Sequence, residues 1–228
     1  MRQVTRWGHC PVLIASVFGA SFGLLGFAVA VVAETDIPPG RLSPFDRRLR
    51  PFLVIGFVLF SILSIQGVLL GFVLQDRLGL SAEATAHRSG VAFLASGLVS
   101  LAAQVFLVRR LAWSPAWLLR CGLPLSLAGF VVLVFAGNFL VIVLAAALVG
   151  LGYAFAIPGC SAGPTLLMKD HEQGSVAGLT SAFNGVAAIV GPTAATALYE
   201  VSAPVPYAVG AVLLAAALVV AWGKRMAT

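Results

Sequence analysis

The chain has 228 residues, of which 60% are hydrophobic and 10% charged, with a formal net charge of +6 and a mean hydropathy of +1.03. A soluble domain carries roughly 25% charged residues, so a water-exposed globule is excluded. Nucleic-acid binding has no support either, because the excess cations fall in short segments between long apolar runs.

A helix needs about 20 apolar residues to cross a hydrocarbon core of ~30 Å. Seven segments meet this requirement in chain order: 11–33, 52–74, 89–108, 121–137, 138–160, 175–198 and 205–223. The fourth is short and abuts the fifth through "FAGNF", which predicts a tight helical hairpin. Lys, Arg, Asp, Glu and His all fall outside these spans or at their edges. Open sheets and loose coil leave backbone groups unsatisfied in lipid, and the runs are far longer than barrel strands, so the class is an all-α polytopic membrane protein. A cleavable signal peptide competes for the first span. Its apolar run exceeds the usual 7–15 residues, and cleavage would leave the Arg41–Arg50 cluster as a tail, so that span is read as retained.

Loop cations set the orientation. Arg41, Arg47, Arg48, Arg50, Arg109, Arg110, Arg120, Lys169, Lys224 and Arg225 share one side, and Arg2, Arg6, Arg77 and Arg88 the other. The richer side is expected in the cytoplasm of a multi-pass inner-membrane protein, with the N-terminus outside and the C-terminus inside. The organisation read from this is an external N-terminus and first span over 1–33, a cytoplasmic loop over 34–51, a six-helix bundle over 52–223, and a tail over 224–228. The loop "ETDIPPGRLSPFDRRLRP" separates the first span from the other six, which are divisible into two three-helix repeats of the kind used by transporters. Cys10, Cys121 and Cys160 are odd in number and lie at different depths, so neither a disulfide framework nor a metal site is predicted.

Polar residues are shared unevenly among the spans. The second, third, fifth and sixth hold Ser61, Ser64, Gln66, Ser89, Ser96, Ser100, Gln104, Asn138, Tyr153, Ser175, Thr180, Ser181, Asn184, Thr193 and Thr196, while the first, fourth and seventh hold few. Polar groups in hydrocarbon turn to a bundle interior or a cavity. Ser96, Ser100 and Gln104 are four apart and share a helical face, as do Thr180 and Asn184. Interhelical hydrogen bonding, at ~0.6 kcal/mol each, is the alternative to cavity lining. Gly67-x-x-x-Gly71, Gly159-x-x-x-Gly163 and Gly174-x-x-x-Gly178 are read as close helix packing. Gly191-Pro192 inside the sixth span predicts a kink, because Pro192 frees the carbonyl of Ala188. A flexing point is the sharper reading.

"VVAET", "GFVLQDRLGLSAEATAHRSG", "GLGYAFAIPG" and "GSVAGLTSAFNGVAAIVGPTAATALYE" follow one another in an order that resembles the C-terminal half of a major facilitator superfamily transporter, most like the twelve-helix drug–proton antiporters and the multidrug and sugar efflux group. In that resemblance the spans correspond to helices 6–12, and helices 7, 8, 10 and 11 line the cavity. The loop "LVRRLAWSPAWLLRCG" departs from the family's pattern: Arg109, Arg110 and Arg120 are present without the loop's usual acid and glycine, so these residues are expected only to fix topology. The resemblance implies a secondary-active efflux carrier for small amphipathic or apolar compounds, acting by alternating access, without enzyme activity, metal or bound cofactor. Any proton coupling belongs to the full-length protein. Expected cavity residues are Ser64, Gln66, Ser100, Gln104, Tyr153, Phe183 and Asn184, with Gly191 and Pro192 as kink or gate. The expected partners are the lipid bilayer, a small-molecule substrate and an N-terminal transporter half. A non-transporting truncated fragment and a seven-helix ligand-sensing receptor are the alternatives.

Overall fold

The computed structural model describes residues 48–108, 110, 113–169 and 172–223. The first predicted span, Arg47, Arg109 and the tail over 224–228 lie outside the described residues. Among the described residues six helices are long and apolar enough to cross a membrane. They are α1 (Arg50–Leu78), α2 (Ala82–Ala102, continued by a π-helical segment Ala103–Val108), α3 (Pro115–Phe135), α4 (Phe139–Leu167), α5 (Gln173–Val201) and α6 (Val205–Trp222). No strand occurs among the described residues.

The helices overrun the predicted spans. α1, α4 and α5 each have 29 residues, or about 43 Å at 1.5 Å per residue. α2 begins at Ala82, ahead of His87 and Arg88, because Ser81 caps it with its side-chain oxygen on the Ala84 amide. A charged first turn marks the end of an apolar run and not the end of a helix. α3 begins at Pro115, so the span that reads as short is a full 21 residues. Asn138 caps α4 through the Val141 amide at 2.9 Å, and α3 and α4 form the expected hairpin.

α4 runs through Pro158 and Pro164, and α3 through Pro124, without losing helicity. The fifth predicted span stops at 160, seven residues before α4 does.

α1 and α4 form the centre. α3 packs along α4 and carries α6, α2 lies on α4, and α5 lies on α1. The α3–α4 seam is the tightest. A Cβ on Gly122 would sit 2.6 Å from both the Ala156 nitrogen and the Gly152 carbonyl, and one on Gly129 would sit 2.9 Å from the Ala145 carbonyl. A Cβ on Gly152 would overlap the Ser126 hydroxyl. The other crossings use the same device. Gly150 faces the Ser96 backbone, Gly163 the Phe52 ring, and Gly191 the Ser61 carbonyl, which a Cβ there would meet at 2.6 Å.

At Gly174, Gly178, Gly185, Gly67, Gly90 and Gly97 a Cβ would meet nothing within 4 Å. The three Gly-x-x-x-Gly pairs therefore differ. Gly159 and Gly163 close on α3 and α1, Gly67 and Gly71 do not, and Gly174 and Gly178 lie open.

Replacing Gly152 by Val should destabilise the bundle by about 1–3 kcal/mol through overpacking. Gly185→Ala should be neutral or slightly stabilising by helix propensity. Thermal unfolding of both variants in one detergent gives the comparison.

Candidate functional site

Burial separates the helices. Of the most apolar stretch of each, 61% is buried in α1 and 56% in α4, against 11% in α2 and 17% in α5. α2 exposes Phe93, Leu94, Leu98 and Leu101, and its π-helical end exposes Phe106. α5 exposes Ser181, Val186, Ile189, Thr193 and Thr196 among small residues. Two helices thus present apolar faces with sparse hydroxyls and one amide.

The predicted cavity residues are dispersed over these surfaces. Gln104 is exposed in the π-helical segment and donates from Nε2 to the half-buried Ser100 hydroxyl at 3.2 Å. Ser64 is half-buried and donates to the Phe60 carbonyl of its own helix at 2.9 Å. Gln66 and Tyr153 are only 4% and 5% exposed, inside the bundle, so neither lies on an open face. Phe183 is half-buried and packs on a small cluster of Leu49, Leu53, Met168 and Val176.

Asn184 is half-buried with its Oδ1 beside Gly56, 3.6 Å from where a Cβ would stand. The thiol of Cys160, which donates to the Phe52 carbonyl, closes the other side of Gly56. The Asn184 Oδ1 and the Thr180 hydroxyl, one turn apart, are buried without a hydrogen-bond partner. Of the seven residues, the described contacts join only Ser100 to Gln104.

Gly191 and Pro192 sit where α5 crosses α1, and α5 stays helical through them. The Thr193 hydroxyl donates to the Ile189 carbonyl at 2.8 Å and that of Thr196 to the Pro192 carbonyl at 2.5 Å. Neither reaches the carbonyl of Ala188 that Pro192 frees.

One end of the bundle carries a cluster that sequence reasoning misses. The Arg77 guanidinium donates to the carbonyls of Leu133, Val134 and Ala136 at 2.7–3.1 Å, capping the C-terminus of α3. A cation there also suits the helix dipole. Next to it Asp76 accepts from the Tyr199 hydroxyl at 2.5 Å, and the Tyr199 ring lies 5.5 Å from that of Phe72. Arg88 sits over the Phe139 ring. Adjacent opposite charges closing a helix, followed by Gly79 in the left-handed conformation, are the available signal.

The opposite end holds Arg48, Arg50, Arg110, Arg120 and Lys169 among the described residues. Arg120 is no free loop cation. Its Nε donates to the Ala221 carbonyl at 3.2 Å, and its guanidinium lies over the Trp117 and Trp222 rings at 5.7 and 5.4 Å. It ties α3 to the end of α6, so its role exceeds fixing topology. Arg50 and Arg110 are exposed, and Arg48 is engaged in a contact. Among the described residues no three His, Cys, Asp or Glu side chains converge to hold a metal.

A family model for the Major Facilitator Superfamily matches residues 52–227. The chain belongs to the major facilitator superfamily. A search of curated proteins found no match. Members of this superfamily are membrane transporters, and the all-helical bundle with its six membrane-length helices is that of a multi-pass membrane protein.

Arg77→Gln should lower bundle stability by about 2 kcal/mol, since three carbonyls lose a charged donor. Arg77→Lys should not restore it, because an ammonium lacks the planar fork. Unfolding midpoints in detergent read both effects.

Proposed function

We propose that this major facilitator chain forms the C-terminal half of a secondary-active efflux carrier for small amphipathic or apolar compounds. It works against a second, N-terminal six-helix bundle, and the two rock about a central site in alternating access. The observation that carries this reading is the openness of α2 and α5. Both are membrane-length helices, yet only 11% and 17% of their apolar stretches are buried.

Exposed apolar surface in lipid needs no cover by itself. Exposed glycines and polar groups argue for a partner, since close helix packing in membranes relies on small residues. α5 offers Gly174, Gly178 and Gly185 with open space before them, together with Ser181. The chemistry of the faces fits the substrate class. Phe93, Leu94, Leu98 and Ile189 supply apolar wall, while Gln104 and Ser100 supply a few hydrogen-bonding groups, and the Asn184 and Thr180 oxygens lie just beneath the α5 surface without partners. The described cations gather at the helix ends, leaving no buried positive charge to hold a strong anion.

The orientation follows from the same distribution. The end with Arg48, Arg50, Arg110, Arg120 and Lys169 faces the cytoplasm, and the end with Arg77 and Arg88 faces outward.

In proteoliposomes containing this chain and a supplied N-terminal bundle, an amphipathic dye such as ethidium should move, and the chain alone should give no flux. Flux from the chain alone would overturn the need for a partner. In the assembled protein Asn184→Ala should change the preference between polar and apolar dyes about five- to tenfold, the weight of one buried hydrogen bond. Equal transport across a dye panel would remove Asn184 from the site. Pro192→Ala should slow turnover severalfold with little change in half-saturation if α5 flexes there, and intact turnover would reduce Pro192 to a fixed feature of the crossing.

A further inference from the structure

We propose that the Arg120 end of α3 and α6 is a binding site for the phosphate of an anionic phospholipid. The guanidinium is fixed in place by its Nε bond to the Ala221 carbonyl and by its contacts with the Trp117 and Trp222 rings. That bond uses one of the five N–H groups of the side chain. The outer fork, with its paired Nη groups, has no acceptor among the described residues. Glu172, the acid described at this end of the bundle, is occupied in accepting from the Lys169 amide at 3.1 Å. A pre-positioned planar fork without a carboxylate matches a phosphate oxygen pair.

The surroundings select a lipid over a soluble anion. Trp117 and Trp222 are 54% and 60% exposed, and indoles of this kind settle at the headgroup level of a bilayer. Directly beside Trp222 the end of α6 has a shallow, open depression of about 440 Å³ lined by Leu218, Val219, Trp222 and Gly223. Its walls are apolar and one end adjoins the Trp222 ring that Arg120 covers. An acyl chain lies favourably along such an apolar surface, which offers an inorganic anion no donor. Basic recesses between membrane helices bind acidic headgroups by this combination of charge and apolar wall.

The test is native mass spectrometry of the full chain in a non-ionic detergent, titrated with phosphatidylglycerol or with phosphatidylcholine of the same chain length. The wild type should take up phosphatidylglycerol preferentially at one site. Arg120→Gln should weaken that first adduct about tenfold, the loss of a charged hydrogen bond, and leave phosphatidylcholine uptake unchanged. Trp222→Leu, which keeps the Arg120–Ala221 bond, should weaken it severalfold and serves alone if the Arg120 variant fails to fold. Arg110→Gln should bind as the wild type does. Wild-type affinity in both the Arg120 and the Trp222 variants overturns the site. An equal loss in Arg110→Gln overturns it too, by reducing the effect to general surface attraction. Competition by inorganic phosphate at lipid-like concentration would assign the fork to a free anion and overturn the lipid.

Discussion

The structure depends on how closely α3 and α4 approach. Lipid is as apolar as leucine, so helices in a membrane gain nothing from hiding apolar side chains from one another; they gain from dispersion at short range. Gly122, Gly129, Gly152 and Gly159 remove the side chains that would hold the two backbones apart. Gly122 and Gly129 lie two turns apart, as do Gly152 and Gly159, so one continuous seam receives all four. Once α4 is fixed, the rest follows. Gly150 seats the Ser96 backbone of α2, Gly163 seats Phe52 of α1, and Phe130 of α3 meets Tyr207 and Gly210 of α6.

Two arginines finish the ends. A helix leaves its last carbonyls without internal donors, and in a bundle with short connections those carbonyls need partners from elsewhere. Arg77 supplies three bonds to the end of α3, and Arg120 one to the end of α6. Each crosses from one helix to another, so a residue that counts as a topology signal is also a joint. α2 and α5 join this arrangement through Arg88 over the Phe139 ring and through the Asp76–Tyr199 bond. Their polar groups mostly bond within their own helix, as Thr193, Thr196 and Gln104 do. Little of either helix is buried within the bundle, in contrast to α1 and α4.

The helical class and six of the spans were legible from apolar run length, because lipid permits so few backbone solutions. The family was legible from the order of four loose motifs. Helix ends were not. Charges and prolines mark where an apolar run stops, yet Ser81 starts α2 before His87, and α4 passes through Pro158 and Pro164. The placement of the candidate residues was legible only in part. Periodicity placed Ser100 and Gln104 on one face, and they bond to each other. It could not separate a buried Gln66 from an exposed Gln104, because that depends on which side of a helix a neighbour covers. The burial of Tyr153 depends on neighbouring helices in the same way. Asp76 and Tyr199 are far apart in sequence, and nothing periodic links them.

Gly191-Pro192 shows how the two kinds of information meet. From sequence the pair is a helix breaker, with glycine and proline pulling the same way. In the bundle their tasks differ. Gly191 is buried because α5 crosses the Ser61 backbone there, and any side chain would push the helices apart. Proline removes one amide and leaves the Ala188 carbonyl unserved, while the hydroxyls of Thr193 and Thr196 turn to other carbonyls. The helix therefore has its firmest contact and its weakest internal bonding one residue apart. Beyond that crossing α5 continues as helix from Pro192 to Val201. What holds the far end of that segment is the Tyr199 hydroxyl on Asp76 with the Phe72 ring beside it. A tight crossing at Gly191, a missing amide at Pro192 and the Tyr199–Asp76 bond two turns on thus fall within one short stretch of α5, so local helix bonding and tertiary contact are set there by different residues.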